Sequence, residues 1–244
     1  MKSSIYIREY YATTEPRNNK SKKNIILFHD IGGGHYTFEN LIPLMNDEGI
    51  NVVTFDYLGH GLSSGTRGHF ESIEQIKGFL TELHTSSQIA QSEEVYTLSI
   101  NQGALVALYY ATLFENVAGN IFINPRLRVE LDKKFSTDLF KSIPLPISKL
   151  QLNLRKQSSD LTANGFITKK SLITLNKLLK KVQLDIYFMK CRNLIFSSDR
   201  NSIIFETLMS EFHDEVEVPE MNSIKMIKKQ DIIFKETYNW LYEN

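Results

Sequence analysis

Short apolar runs recur along this chain, and each leads through a polar or glycine-rich loop into a segment of helical length. The runs cover residues 24–29, 50–55, 94–99, 119–123 and 193–197, with a shorter one at 215–218. Helices are expected over 38–48, 73–86, 102–114, 202–212 and 231–242. Continuous apolar strands in alternation with helices predict an α/β fold, a mostly parallel sheet covered on both faces. Residues 4–12 alternate, and a polar turn with Pro16 separates them from 24–29, which reads as an antiparallel hairpin. Residues 126–188 break the rhythm with Pro144, Pro146, the polar stretch Gln157-Ser158-Ser159-Asp160 and a helix over 169–182. That segment is expected to be an insertion, with 1–125 and 189–244 forming the core.

Bulk composition narrows the function classes. The 244 residues are 42% hydrophobic, enough for one large core. Lysine plus arginine and aspartate plus glutamate are equal at 28 each, so charge argues for neither nucleic acid nor an anionic membrane as partner. No apolar run approaches the roughly 18 residues that span a bilayer. A charge interrupts what would be the apolar part of a signal peptide, and the expected location is the cytoplasm. Cys191 is the single cysteine, which excludes an intrachain disulfide and reads as an inert thiol at the start of a core strand. The histidines show no metal-binding spacing, and no metal or cofactor is expected.

In open α/β sheets the chemistry lies beyond the carboxyl ends of the strands. Residues Val95 to Ala107 read as a buried strand, a sharp turn and a helix of small apolar residues, the setting of a G-x-S-x-G nucleophile elbow. The five elbow positions hold Ser99-Ile100-Asn101-Gln102-Gly103, with asparagine where serine would stand. Asparagine tolerates the positive φ of such a turn, but its carboxamide is a poor nucleophile. Ser99, two places earlier on the strand, is expected to point into packing. The loop His29-Asp30-Ile31-Gly32-Gly33-Gly34-His35 can turn backbone amides toward a cavity, as an oxyanion hole requires. It lacks the dinucleotide-binding pattern.

The string Asp56-Tyr57-Leu58-Gly59-His60-Gly61-Leu62-Ser63-Ser64-Gly65-Thr66-Arg67-Gly68-His69 resembles a signature of the monoacylglycerol lipase and lysophospholipase branch of the α/β-hydrolase superfamily, the serine aminopeptidase S33 type. Residues 121–127 and 163–168 are similar to the same branch, and the resemblance covers nearly the whole chain. It implies an eight-stranded, mostly parallel sheet with a small helical cap inserted after strand 6, and cleavage of lipid and related esters by Ser, Asp and His.

Carried over residue by residue, the resemblance puts the nucleophile position at Asn101, the acid at Asp199 and the base at Ser223. No histidine follows His213, which precedes the last strand. His29, Asp30, Ile31 and Gln102 fall at the oxyanion and ligand cleft, while His60 and His69 are expected to be buried, hydrogen-bonded loop residues. The expectation is a noncatalytic hydrolase scaffold that binds a small acyl or apolar ligand, or a protein partner. The alternative is an active carboxylic-ester hydrolase with an altered site, in which Asn101 donates to an oxyanion while Asp199 or His29 handles protons.

Overall fold

The computed structural model describes residues 4–16, 20–127, 149–151, 166–185, 191–197, 213–217 and 230–242. The main sheet comprises β1 (Tyr6–Tyr10), β2 (Lys23–Phe28), β3 (Ile50–Asp56), β4 (Val95–Ile100), β5 (Val117–Ile123), β8 (Arg192–Ser197) and β9 (His213–Glu217), in the order β1-β3-β2-β4-β5-β8-β9. A separate antiparallel pair joins β6 (Lys149–Gln151) to β7 (Phe166–Thr168). The helices are α1 (Leu41–Asp47), α2 (Ile73–Ser86), α3 (Gly103–Leu113), α4 (Lys169–Asp185) and α5 (Gln230–Tyr242). This is an α/β-hydrolase fold, with seven strands in the main sheet among the described residues. The helix expected over 202–212 lies outside them.

The expected hairpin does not form. β1 pairs antiparallel with β3, and β2 is flanked by β3 and β4, both parallel to it. Alternating residues identify β1 as a strand, but they do not name its neighbour. Once β2 takes the middle of the sheet, the open edge available to β1 is that of β3.

Successive side chains of each central strand point to opposite faces. Ile26 and Phe28 of β2, with Val53 and Phe55 of β3, meet α2, α3 and α4 in one buried cluster. Ile25, Leu27, Ile50 and Val52 face the other way, against α1 and α5. Ser72 caps α2, its Oγ accepting from the Gln75 amide at 3.2 Å. The lysine-rich helix α4 buries Leu175, Leu178, Leu179 and Val182 in the first cluster, so its apolar stripe serves packing. A polar ladder crosses the sheet near its amino end. Thr97 Oγ1 donates to Asn120 Oδ1 at 2.7 Å, and Asn120 Nδ2 donates to Asn193 Oδ1 at 3.0 Å.

Topology places the site. From β2 the chain proceeds to β3 on one side, and from β4 it proceeds to β5 on the other. The loops after β2 and β4 therefore diverge at the carboxyl ends of these adjacent strands, the position at which open α/β sheets carry their sites. Phe28 pairs with Ser99, so two further steps along each strand bring Asp30 beside Asn101. Ile100 pairs with Ile123, so one step more brings Asn101 beside Asn124.

Candidate functional site at the β4–α3 turn

Asn101 stands at the turn with φ of +47°, in the left-handed region that asparagine enters more readily than other non-glycine residues. Gly103 allows the turn. A Cβ there would lie 2.5 Å from the His29 carbonyl oxygen and 2.6 Å from that of Phe28. Helix α3 therefore starts in direct contact with the end of β2. Ser99 is fully buried, with its Oγ toward the Ile121 carbonyl at 3.5 Å, away from the turn.

The Asn101 carboxamide is held from both sides. Its Nδ2 donates to Asp30 Oδ2 at 2.9 Å, and its Oδ1 accepts from Asn124 Nδ2 at 3.0 Å. Asn124 also has a positive φ, +49°. The other Asp30 oxygen, Oδ1, accepts the Ile31 amide at 2.8 Å and the Gln102 amide at 3.1 Å. The Gln102 carboxamide, with its nitrogen toward the carboxylate, donates to Oδ1 as well. Burial pushes the Asp30 pKa up to about 6, against the opposing pull of the Asn101, Gln102 and Ile31 donors and the Arg126 charge. Desolvation thus outweighs the donors in this carboxyl group.

His29 is committed elsewhere. The Tyr57 amide donates to its Nε2 at 3.2 Å, so the ring proton lies on Nδ1, which donates to the Asp30 carbonyl at 2.8 Å. The ring is fully buried against Tyr57, with centroids 3.9 Å apart. Both nitrogens serve the backbone, which leaves neither aimed at the Asn101 side chain.

The signature loop is built around Asp56. Its carboxylate accepts the His35 amide at 2.7 Å, His35 Nδ1 at 2.8 Å and the Leu62 amide at 2.7 Å. Burial opposes its charge, but the His35 bond, the nearby His29 and the Leu62 amide hold the pKa below the usual carboxylate value. Gly61, at φ +46°, is required because a Cβ would overlap the Asp56 carboxylate. His60 is fully buried, stacked on Phe70, with its Nδ1 donating to the Leu58 carbonyl at 3.0 Å. His69 ties the loop to β7 and to the surface, through Thr168 Oγ1 and Glu71 Oε2, each at 2.9 Å.

The structure therefore brings Asn101, Gln102, Asp30 and Ile31 together and leaves His29 behind them. Asp199 and Ser223 lie outside the described residues. Asn124 and Arg126 were not read from the sequence as site residues. The signal was present, because Asn124 ends its strand one step beyond the partner of Ile100, as Asn101 does. Cys191 lies at the start of β8, at the opposite end of the sheet, where burial raises its thiol pKa. Among the described residues no group of three or more His, Cys, Asp or Glu could hold a metal ion, and no helix is long and apolar enough to cross a membrane.

Comparisons with known proteins agree with this architecture. The family model described as serine aminopeptidase, S33 matches residues 19–219. A solved monoacylglycerol lipase of Paleococcus ferrophilus superposes with a TM-score of 0.72 at 18% identity, covering 98% of both chains. A soluble variant of monoglyceride lipase from Saccharomyces cerevisiae gives 0.76 at 14% identity, covering 99% of this chain and 92% of that one. Protein phosphatase methylesterase 1 of Candida albicans is 29% identical over 122 residues, 46% of this chain and 33% of that protein. An uncharacterised abhydrolase domain-containing protein of Dictyostelium discoideum is 30% identical over 86 residues. The match covers 35% of this chain and 9% of that protein, so this chain spans a third or less of these two relatives. With the family model covering most of its length, the chain belongs to the serine aminopeptidase S33 family of α/β-hydrolases, and is related to lipases and esterases.

Proposed function

We propose that this chain is a noncatalytic α/β-hydrolase, whose crevice at the β4–α3 turn holds a small acyl or apolar ligand or docks a protein partner. In this reading Asn101 takes the nucleophile position, Asp199 the acid position and Ser223 the base position. Residues 126–188 are read as the cap insertion between the core parts 1–125 and 189–244, with α4 of that insertion packing back into the core.

One observation carries the reading. The side chain at the turn is a carboxamide clamped between Asp30 and Asn124. A carboxamide has no proton that a base can remove near neutral pH, so it cannot open a covalent route. The similar proteins whose names mark them as monoacylglycerol lipases or a methylesterase support an acyl or ester-like occupant.

The competing reading is an active hydrolase with an altered site, which needs a base within hydrogen-bond reach of the turn. Among the described residues Asp30 is the carboxyl group at that distance, and its raised pKa of about 6 favours this alternative. Its Oδ1 is tied to two backbone amides, however, and its Oδ2 to Asn101, which argues against free proton transfer.

A fluorophosphonate ester, which phosphonylates activated hydroxyl nucleophiles, tests the proposal by intact mass. The expected result is unchanged mass after prolonged exposure. A stoichiometric adduct would refute the proposal.

A further inference from the structure

The two amides that meet Asp30 Oδ1 come from separate segments. One belongs to Ile31, in the loop after β2, and the other to Gln102, the residue after the turn. In acyl-transfer enzymes of this architecture, donors at these two places converge on the oxygen that becomes negative in the transition state. Here that converging point already holds a negative oxygen, supplied by the chain itself. Asn101 Nδ2 and the Gln102 carboxamide add side-chain donors to the same carboxylate.

We propose that Asp30 closes this oxyanion seat from within, and that the seat takes a small external carboxylate, of the kind ester cleavage releases, once the Asp30 carboxylate is removed or neutralised. The inference rests on reading Asn101 as the elbow residue of a hydrolase scaffold, and it gives that scaffold a ligand class. The donors were selected by geometry for one carboxylate oxygen pair, so a second carboxylate meets the same amides in the same arrangement. With Asp30 in place, an ester carbonyl or a carboxylate entering there finds the Ile31 and Gln102 amides already taken, and a carboxylate also faces a like charge.

The surrounding charges fit a seat that opens on acidification. The titratable and charged groups around Asp30 among the described residues are Arg126, whose charge acts on the carboxylate, Tyr57, whose phenol is pushed up in part by it, and His29, whose Nδ1 holds the Asp30 carbonyl. Burial raises Asp30 to about 6, so it loses its charge while a free aliphatic carboxylate, at about 4 to 5, still keeps most of its own.

The test follows the backbone amide resonances of Ile31 and Gln102 in the full chain during titration with sodium butyrate. At about pH 7.5, Asp30→Ala is expected to bind butyrate roughly tenfold more tightly than the wild type. The wild type should bind more tightly at about pH 5.5 than at 7.5, a gain that Asp30→Ala lacks. Equal affinities in a folded variant and the wild type, or shifts confined to other amides, would overturn the proposal. If Asp30→Ala does not fold, the wild type alone decides through a pH titration without butyrate. Ile31 and Gln102 amides moving together with a midpoint near 6 are the expected result, and amides that stay flat contradict it. Ester hydrolysis is not read by either experiment, so failure of the noncatalytic reading would appear separately.

Discussion

Asp30 Oδ2 accepts a hydrogen bond from Asn101 Nδ2 at 2.9 Å, linking the loop after β2 to the turn after β4. Seventy-one residues separate the two in sequence. Parallel pairing of Phe28 with Ser99 brings them together, so the bond is a consequence of sheet register.

The first prediction concerns the cost of that part-buried, desolvated carboxylate. Its pKa is raised from 3.8 to about 6, so the folded protein binds more protons than the unfolded chain between these values. Stability is fullest below about 3.8, falls as pH rises through 6, and is then constant. Asp30→Asn removes this dependence. Urea denaturation should show the variant gaining on the wild type by at most about 3 kcal/mol in all as pH rises from below 3.8 to about one unit above 6, with no further gain beyond that. A difference independent of pH would contradict the burial argument.

A second prediction isolates the backbone at the turn. Asn101→Ala and Asn101→Gly both lose the bonds to Asp30 and Asn124. At a φ of +47° glycine is relaxed, whereas alanine is strained by about 1 kcal/mol. Asn101→Gly should therefore unfold at the higher denaturant concentration, the reverse of the usual order for these two residues.

The third concerns the contact between α3 and β2. In Gly103→Ala the new methyl group would meet the carbonyl oxygens of His29 and Phe28. We expect a loss of about 2 kcal/mol or more by thermal or chemical denaturation. The displaced β2 end should also weaken the Asp30–Asn101 bond, visible as a changed Asn101 side-chain amide signal.

Acid sensitivity supplies a fourth prediction. Burial, with help from the neighbouring His29, lowers the His60 pKa from 6.5 to about 3. The unfolded chain takes up a proton that the folded one refuses, so stability is full above 6.5 and declines as pH falls toward 3. His60→Phe retains a ring over Phe70 but forfeits the bond to the Leu58 carbonyl. It should be less stable at neutral pH and show a shallower loss on acidification.

Restoration of a nucleophile makes a fifth. Asn101→Ser alone is expected to give no ester hydrolysis above background, because in a triad the loss of the histidine base alone costs on the order of 10⁶ in turnover. Ser223→His should be needed as well, and Asp30→Ala to clear the seat. Rapid ester turnover by Asn101→Ser alone would show that the base has been misplaced.

Much of this arrangement was legible along the chain. The apolar run to Ile100, the turn asparagine and the small-residue helix start specify the elbow, because a positive φ and a tight helix approach leave few residues able to stand there. The histidines of the signature loop were likewise expected as buried, bonded residues; His60 proves to be both, whereas His69 is bonded but only part-buried. The partner of β1 was not legible, since alternation fixes which side of a strand faces inward but not its neighbour. Nor was the use of the Asp30 carboxylate, which depends on the relative register of β2 and β4. Asn120 and Thr97 sit in runs that read as apolar strands, and their bond emerges only when those strands pair.

The most direct measurement is hydrolysis of short-chain aryl esters and a monoacylglycerol by the purified wild type beside Asn101→Ala. The account predicts the same background rate from both proteins. Turnover by the wild type that disappears in Asn101→Ala would mean that the asparagine takes part in catalysis, and would contradict it.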